Sequence, residues 1–259
     1  MQTNQGSIRP RRALPSRGCS MPVREKIILA LDVPDPDYAI EIVDRFKDYV
    51  GVFKVGLELF ISGGPEVVKE INKRGKKVFL DLKFHDISHT VTKAALAATR
   101  LGVYMFNLHA SGGLDMMRTC REAVVDLCLK GNIQRPKMLG VTVLTGLTQE
   151  VLKGELGIQH SLRTHVKELS RLSMTAGLDG VVASGHEVAM IRNHFGKDFL
   201  IVTPGIRTSW SPPDDQRRTM TPREAIREGA DYIVLGRAVL NQTDPFKAFE
   251  LITTEILTA

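Results

Sequence analysis

Three charged side chains, Asp81, Lys83 and Asp86, stand close together in the otherwise strand-like stretch VFLDLKFHDISHTV at positions 78–91. Asp81 and Lys83 are two positions apart, so on a β-strand their side chains leave the same face while the apolar neighbours leave the other. Asp86 begins the next loop, from which it could reach the same point or a neighbouring subunit. With Lys54, which ends the preceding apolar run, these residues form a row of alternating charge.

Such a row could hold a proton donor beside a reacting group. Two carboxylates about 4 Å apart repel by about 4 kcal/mol at an effective dielectric constant of 20, and a lysine between them offsets that repulsion. The fixed ammonium group can protonate a carbanion, while the carboxylates disfavour a substrate carboxylate. Two other interpretations stay open: a salt-bridge network that only fixes structure, and a Mg²⁺ site that includes a glutamate such as Glu58, against which the intervening lysine argues.

The elements that would position these charges follow a regular order. Eight short apolar runs alternate with segments of 3.6-residue period, which predicts a single-domain α/β fold, the parallel (β/α)₈ TIM barrel. A doubly wound open sheet is the alternative, because a count of strands does not prove closure. The runs are KIILALDV, GVFKVG, KKVFLDLK, YMFNLHA, KMLGVTVLT, GVVAS, FLIVTPG and DYIVLG.

Proline and glycine mark the ends of two predicted helices. Pro65 stands at a first-turn position, and Gly75 stands where that helix should stop. The pattern recurs with Thr221 as N-cap, Pro222 in the first turn and Gly229 at the stop. This punctuation predicts helices joined to the strands by short links.

In a TIM barrel the active site lies where the strands end, so polar residues after the predicted strands are site candidates. Gly205 and Gly236 fall in the two loops that often bind phosphate. There, backbone N–H groups can approach an anion closely and Arg237 can clamp its oxygens. The other polar or loop-forming residues at predicted strand ends are Asp32, Lys54, Asp81, Lys83, Asn107, His109, Thr145, Ser184, Pro204 and Arg207.

The link IRTSWSPPDDQRRTM, at 206–220, is longer than the usual 2–6 residues. Its length predicts a lid that closes over a phosphate and excludes water. Arg207 and Gln216 are its candidate ligand contacts, whereas Arg217 and Arg218 are predicted to be solvated.

Composition limits the function classes. Residues 1–26 hold six basic side chains and one acidic, +5 of the formal net charge of +6, so no basic face for nucleic acid is predicted on the folded body. A disordered basic extension is predicted over 1–23, with Met21 as an alternative start. No run approaches the roughly 20 apolar residues of a membrane span, and three cysteines without metal-ligand spacing fit a reducing cytoplasm.

Several motifs recur together between 27 and 251: LALDV, FKVG, FLDLKFHDI..TV, N.HA, VTVLT, VTPGIR, DDQRR with MTPREAI, and GADYIVLGRAV. In these the sequence resembles the orotidine 5'-phosphate decarboxylase family. The resemblance implies a TIM-barrel decarboxylase domain over 24–259 that converts orotidine 5'-phosphate to UMP in pyrimidine biosynthesis, without a metal or organic cofactor. It makes Lys54, Asp81, Lys83 and Asp86 the catalytic array, with Lys83 protonating C6 of a vinyl carbanion after carbon dioxide leaves.

The resemblance also implies a homodimer in which Asp86, Ile87 and Thr90 act in the partner's active site. Ser88 and His89 stand where the family usually has Pro-Asn, so a local change near the dimer interface is expected. The rival functions are a Mg²⁺-dependent sugar-phosphate lyase on the same fold and a nucleotide-binding or nucleic-acid-associated protein that uses the basic extension. The implied substrate contacts are Asp32 and Lys54 at the ribose, Thr145, Ser184 and Pro204 at the pyrimidine, Arg207, Gln216, Gly236 and Arg237 at the phosphate, and Thr90 from the partner.

Overall fold

A computed structural model gives the structure of the protein, and it describes residues 22–208 and 218–258. All but the last two residues of the predicted extension lie outside these ranges, as do Gln216 and Arg217 of the predicted lid. The predictions for those residues therefore stay predictions.

Within the described ranges, eight parallel strands form a closed barrel in the order of the sequence. The ring closes at β1, where Ile28 is opposite Val52 of β2 on one side and Val234 of β8 on the other. The TIM-barrel prediction is confirmed, and the doubly wound alternative is wrong. The strands are β1 Ile27–Ala30, β2 Val52–Gly56, β3 Lys77–Phe84, β4 Met105–His109, β5 Lys137–Val141, β6 Gly180–Val182, β7 Leu200–Thr203 and β8 Tyr232–Leu235.

Helices alternate with the strands and cover the outside of the barrel. No helix in the described part of the chain is both long and apolar enough to cross a membrane. The helices are α1 Pro36–Phe46, α2 Leu57–Lys73, α3 Ser88–Arg100, α4 Gly113–Gly131, α5 Gln149–Gly154, α6 Leu162–Thr175, α7 Val188–Phe195, α8 Pro222–Arg227, α9 Arg237–Leu240 and α10 Pro245–Leu257. Short 3₁₀ turns lie at Val23–Lys26, Ala110–Gly112 and Gly185–Glu187.

The predicted punctuation is confirmed at α8 and in part at α2. Thr221 forms a capping box with Glu224, and Pro222 occupies the first turn of α8. Helix α2 begins earlier than predicted, at Leu57. It is interrupted at Gly64, whose φ of +61° is non-helical, so that Pro65 starts its second part. The early start follows from the short link after β2, which leaves no loop between strand and helix.

Two apolar layers fill the fold, one inside the barrel and one between the barrel and its helices. On β3 the alternation places Phe79 in the inner cluster and Leu80 in the outer one. Asp81 therefore returns to the inner face, as its spacing predicts. On β2, Val52 belongs to the inner cluster and Lys54 follows two positions later. Strand periodicity thus points both charges into the barrel above an apolar floor.

Close contact between strands β6 and β7 generates a stability prediction. A Cβ added at Gly180 would overlap the carbonyl oxygen of Leu200 and lie 2.6 Å from the Cβ of Leu200. The overlap cannot be relieved by a rotamer change, because the oxygen belongs to the backbone of β7. Gly180→Ala should lower the free energy of unfolding by roughly 3 kcal/mol, measured by urea denaturation. Gly154→Ala, with open space around its Cβ at the end of α5, should be neutral or slightly stabilising. Equal stability of the two variants would contradict the packing described.

Candidate active site

One cavity opens at the carboxyl ends of the strands and is lined by ten of the predicted site residues. Its floor includes apolar side chains of the inner cluster, among them Phe79 and Val234. Asp86 and Thr90 do not line it; both are exposed on the outside of the barrel mouth. The predicted residues that it brings together are Asp32, Lys54, Asp81, Lys83, Thr145, Ser184, Pro204, Arg207, Gly236 and Arg237.

Four of these side chains form a continuous row of alternating charge. Lys54 Nζ lies 2.8 Å from Asp32 Oδ1 and 3.4 Å from Asp81 Oδ2. Lys83 Nζ lies 2.8 Å from Asp81 Oδ1. Within a single chain, the row therefore begins at Asp32 and ends at Lys83. Asp86 has no ion pair with a described residue, and its Oδ1 accepts a hydrogen bond from the backbone N–H of Ile87 at 2.7 Å.

Lys54 keeps its charge although its side chain is only 10% exposed. Burial lowers the pKa of Lys54, but the carboxylates of Asp81 and Asp32 raise it by more, so the net pKa lies above the ordinary lysine value. Because the raised pKa belongs to the folded state, these pairs stabilise the fold below the ordinary lysine pKa. That stabilisation is lost as the pH rises through the raised value.

Asn107, in the middle of β4, connects two members of the row. Its side chain is fully buried, its Nδ2 donates to Asp81 Oδ1 at 2.7 Å, and its Oδ1 accepts from the backbone N–H of Lys83 at 2.8 Å. Asn107 was among the site candidates predicted at strand ends, but no role in the site was predicted for it. Its position in the N.HA motif was the available signal.

The ends of β7 and β8 bring two glycines and an arginine to one side of the cavity. Gly205 has a φ of +78°, a left-handed conformation that glycine adopts at no steric cost. A Cβ at Gly236 would lie 3.3 Å from Ala30 Cβ and 3.4 Å from Asp32 Oδ2, so a side chain would crowd the wall. Arg237 follows as the first residue of α9. This arrangement of backbone and guanidinium suits an anion.

The two ends of the predicted lid are joined at its base. Ile206 and Met220 form an isolated parallel bridge, in which Arg207 N–H donates to the Met220 carbonyl at 3.0 Å. Met220 N–H donates in turn to the Gly205 carbonyl at 3.3 Å. The described ends of the predicted lid therefore meet at one point of the rim.

The Arg218 side chain is only 12% exposed and is ion-paired, so the prediction that it is solvated is wrong. Its Nη1 lies 2.7 Å from Glu187 Oε1, and its Nη2 donates to the carbonyls of Val143 and Leu144 at 3.2 Å. The pKa of Glu187 is raised by burial, an effect that Arg218 partly offsets. Sequence could not reveal this pair, because its members lie in different βα loops that meet only when the barrel closes.

Ser184 presents an unsatisfied hydroxyl group to the cavity. The residue is fully buried, and its Oγ has no hydrogen-bond partner among the described residues. A buried polar group without a partner costs about 1–3 kcal/mol. A ligand that supplies a hydrogen bond here would recover that cost, which makes Ser184 a strong candidate for substrate contact.

The two positions that depart from the family pattern have structural roles at the start of α3. Ser88 Oγ donates to Asp115 Oδ2 at 3.0 Å and so joins α3 to α4. His89 lies in the first turn of α3. His85 and His109 pack against each other, with ring centroids 5.1 Å apart, and the pKa of His109 is lowered by burial, by His85 and by Lys83.

The buried pair of Arg218 and Glu187 generates a second prediction. Arg218→Met should lower the free energy of unfolding at pH 7 by about 3 kcal/mol, because an uncompensated carboxylate stays buried. The loss should shrink as the pH falls towards the ordinary glutamate pKa. Burial holds the pKa of Glu187 above that value, and loss of the arginine raises it further. As the pH falls, the folded variant therefore becomes protonated at Glu187 before the unfolded chain does, which stabilises the folded state.

Chemical denaturation at pH 7 and at pH 5 measures this effect. The matched control is Arg171→Met, which breaks the exposed pair with Glu168 on α6 and should cost less than about 1 kcal/mol. A cost for Arg218→Met no larger than that of the control, or one independent of pH, would contradict the burial of this pair.

Comparison with known proteins agrees with the fold. The family model described as Orotidine 5'-phosphate decarboxylase / HUMPS family matches residues 25–252. The orotidine 5'-phosphate decarboxylase of Moorella thermoacetica is 48% identical over 236 residues, covering 91% of this chain and 94% of that protein. That of Pelobacter propionicus is 49% identical, covering 90% and 96%.

A solved structure is similar along nearly the same span. The crystal structure of orotidine 5'-phosphate decarboxylase from Lactobacillus acidophilus matches with a TM-score of 0.77 and 34% identity, covering 90% of this chain and 99% of that one. The family model and these relatives extend over nine-tenths of the chain, and the resemblance drawn from the motifs is confirmed. The chain belongs to the orotidine 5'-phosphate decarboxylase / HUMPS family.

Proposed function

We propose that the protein converts orotidine 5'-phosphate to UMP in pyrimidine biosynthesis, without a metal or organic cofactor. The observation that carries this proposal is the row Asp32–Lys54–Asp81–Lys83 in one cavity with the glycines and arginine of β7 and β8. The row supplies an ammonium group beside a carboxylate, and the other end suits a phosphate. The named activity of relatives 48–49% identical supports the same substrate.

The chemistry needs one proton donor and no redox partner. The bond between C6 of the pyrimidine and the carboxylate breaks heterolytically, carbon dioxide leaves, and the electron pair stays on C6 as a vinyl carbanion. The ammonium group of Lys83 delivers its proton to C6 and later regains one from solvent. Asp81, held between Lys54 and Lys83, faces the departing carboxylate and disfavours the charged ground state at that position.

The rest of the cavity positions the nucleotide. Asp32 and Lys54 bind the ribose hydroxyls, and the pyrimidine edge meets Thr145 and the unsatisfied hydroxyl group of Ser184, with Pro204 flanking the ring. The phosphate binds at Gly236, Arg237 and Arg207, with Gln216 from the part of the lid outside the described residues. Binding energy from the remote phosphate then holds the substrate where Lys83 can reach C6.

We propose that the active unit is a homodimer that shares its sites. In a single chain, Asp86 and Thr90 are exposed and lie away from the cavity, which supports a role in a second copy. The apolar side chain between them in the sequence favours burial in an interface: Ile87 is 72% exposed. In the dimer, Asp86, Ile87 and Thr90 complete the partner's site, and Asp86 extends the charged row beyond Lys83.

We also propose a cytoplasmic location, with the nucleotide rather than a nucleic acid or a membrane as partner. Cys120 and Cys128 are buried, unpaired thiols on α4, and burial raises the pKa of the Cys120 thiol to about 12. Such cysteines act as small core side chains and fit a reducing compartment.

Lys83→Ala tests the proton donor. Purified protein should lower the ultraviolet absorbance of orotidine 5'-phosphate, and the substitution should reduce kcat by about 10²–10⁴-fold, because the donor of the proton is gone. Lys69→Ala removes an exposed lysine of α2 and should leave the rate unchanged. Turnover should also persist in excess EDTA. A rate that survives Lys83→Ala would refute the mechanism, and a rate lost in EDTA would favour the Mg²⁺-dependent lyase.

Subunit mixing tests the shared site. Homodimers of Asp86→Ala and of Lys83→Ala should each be nearly inactive. In a mixed dimer, one site receives Lys83 from the first chain and Asp86 from the second, and is intact. Refolding the variants together in equal amounts should therefore restore roughly one quarter of wild-type activity, since half of the dimers are mixed and each has one intact site. If mixing restores nothing, Asp86 acts within its own chain.

A further inference from the structure

The side-chain amide of Asn107 has two partners that fix its orientation. The backbone N–H of Lys83 can only donate, so it must face the amide oxygen, and an ionised Asp81 carboxylate can only accept, so it must face the amide nitrogen. Neither an ionised aspartate nor an apolar side chain can make both bonds. The fully buried position excludes water as a substitute.

At Lys83, the amide supports an unusual backbone. Lys83 has a φ of +52°, and left-handed conformations cost a non-glycine residue about 1–3 kcal/mol. The same place interrupts the ladder between β3 and β4, whose register shifts between Leu80 and Phe84. Asn107 supplies the acceptor for the N–H of Lys83 at this irregularity, so its amide oxygen helps to hold the direction in which Lys83 leaves the strand.

At Asp81, the amide sets the orientation of the carboxylate. Oδ1 of Asp81 receives both Asn107 Nδ2 at 2.7 Å and Lys83 Nζ at 2.8 Å, while Oδ2 faces Lys54. The Asn107 side chain thus contacts both the carboxylate of Asp81 and the backbone of Lys83, which is ion-paired with that carboxylate. Asn107 itself does not line the cavity.

We propose that Asn107 is a positioning residue for the reaction: it aligns Lys83 through its backbone and Asp81 through its carboxylate, without touching substrate. The inference rests on the proposed role of Lys83 as proton donor. The geometry of the Lys83 ammonium group then depends on a neutral amide from the neighbouring strand β4. A charge or a cavity at position 107 impairs the chemical step more than substrate binding.

Asn107→Ala should lower kcat about 10²-fold, because a displacement of about 1 Å at a reacting group costs that much. KM should change less than about threefold, because Asp32, Ser184 and Arg237 are untouched. The control is Thr99→Ala, which removes an equally buried hydrogen bond near the C-terminal end of α3, with Thr99 Oγ1 donating to the Ala95 carbonyl at 2.8 Å. Thr99→Ala should lower the free energy of unfolding about as much as Asn107→Ala does and should leave kcat unchanged.

Asn107→Asp gives a readout that general destabilisation does not produce. An ionised Asp at 107 accepts from Lys83 N–H but repels Asp81, whereas a protonated one can donate its O–H to Asp81. The activity of Asn107→Asp relative to wild type should therefore rise as the pH falls. The activity of Asn107→Ala relative to wild type should not change with pH. The other titrating groups near position 107 are Lys54, Lys83 and His109, and the ratio to wild type cancels their effect.

Amide hydrogen exchange at Lys83 tests the contact without requiring turnover. Its N–H should be protected in the wild type and exchange at least about tenfold faster in Asn107→Ala or Asn107→Leu, whichever folds, because neither side chain offers an acceptor, with the rest of β3 unchanged. Wild-type kcat in Asn107→Ala, a pH-independent ratio for Asn107→Asp, or unchanged exchange at Lys83 would each overturn the inference. If the wild type does not turn over orotidine 5'-phosphate, the proposed function fails instead, and the exchange result still decides the contact.

Discussion

The site depends on the Asp81 carboxylate, held between the ammonium groups of Lys54 and Lys83. Exposed pairs of this kind contribute little, because water competes for every charge. Here the apolar side chains inside the barrel form a floor beneath the row, so the charges interact in a medium of lower dielectric and keep fixed distances. The closed barrel matters because it brings the ends of β1, β2 and β3 together at that point.

Two ion pairs at the opposite end of the barrel also bind backbone N–H groups of the strands. Arg135 pairs with Asp179, which also accepts from the backbone N–H of Met138. Arg192 pairs with Asp231 in the same way, and that carboxylate accepts from a backbone N–H of β7. At the mouth, by contrast, Ser184 has no partner among the described residues. The ion pairs at the far end therefore hold neighbouring strands together, whereas the mouth leaves a hydroxyl group available to a ligand.

Sequence alone could predict whatever follows from periodicity. The alternation on β3 placed Phe79 and Asp81 inside the barrel, and the apolar runs gave all the strands. It could not predict contacts that depend on register between strands, such as the reach of Lys54 to Asp32. Nor could it predict the irregularity at Lys83 that makes Asn107 important, because a left-handed lysine has no local signal. Arg218 was misjudged for a similar reason: its partner Glu187 is distant in the chain.

The most direct test of the account is a crystal structure with UMP bound. We expect the phosphate to contact the backbone of Gly236 and the backbone and side chain of Arg237. Lys83 Nζ should lie about 3–3.5 Å from C6 of the base, the distance expected of reacting atoms. Asp86 of the second copy should lie beside the same atom. A base bound with C6 turned away from Lys83, or a phosphate bound elsewhere, would contradict the account.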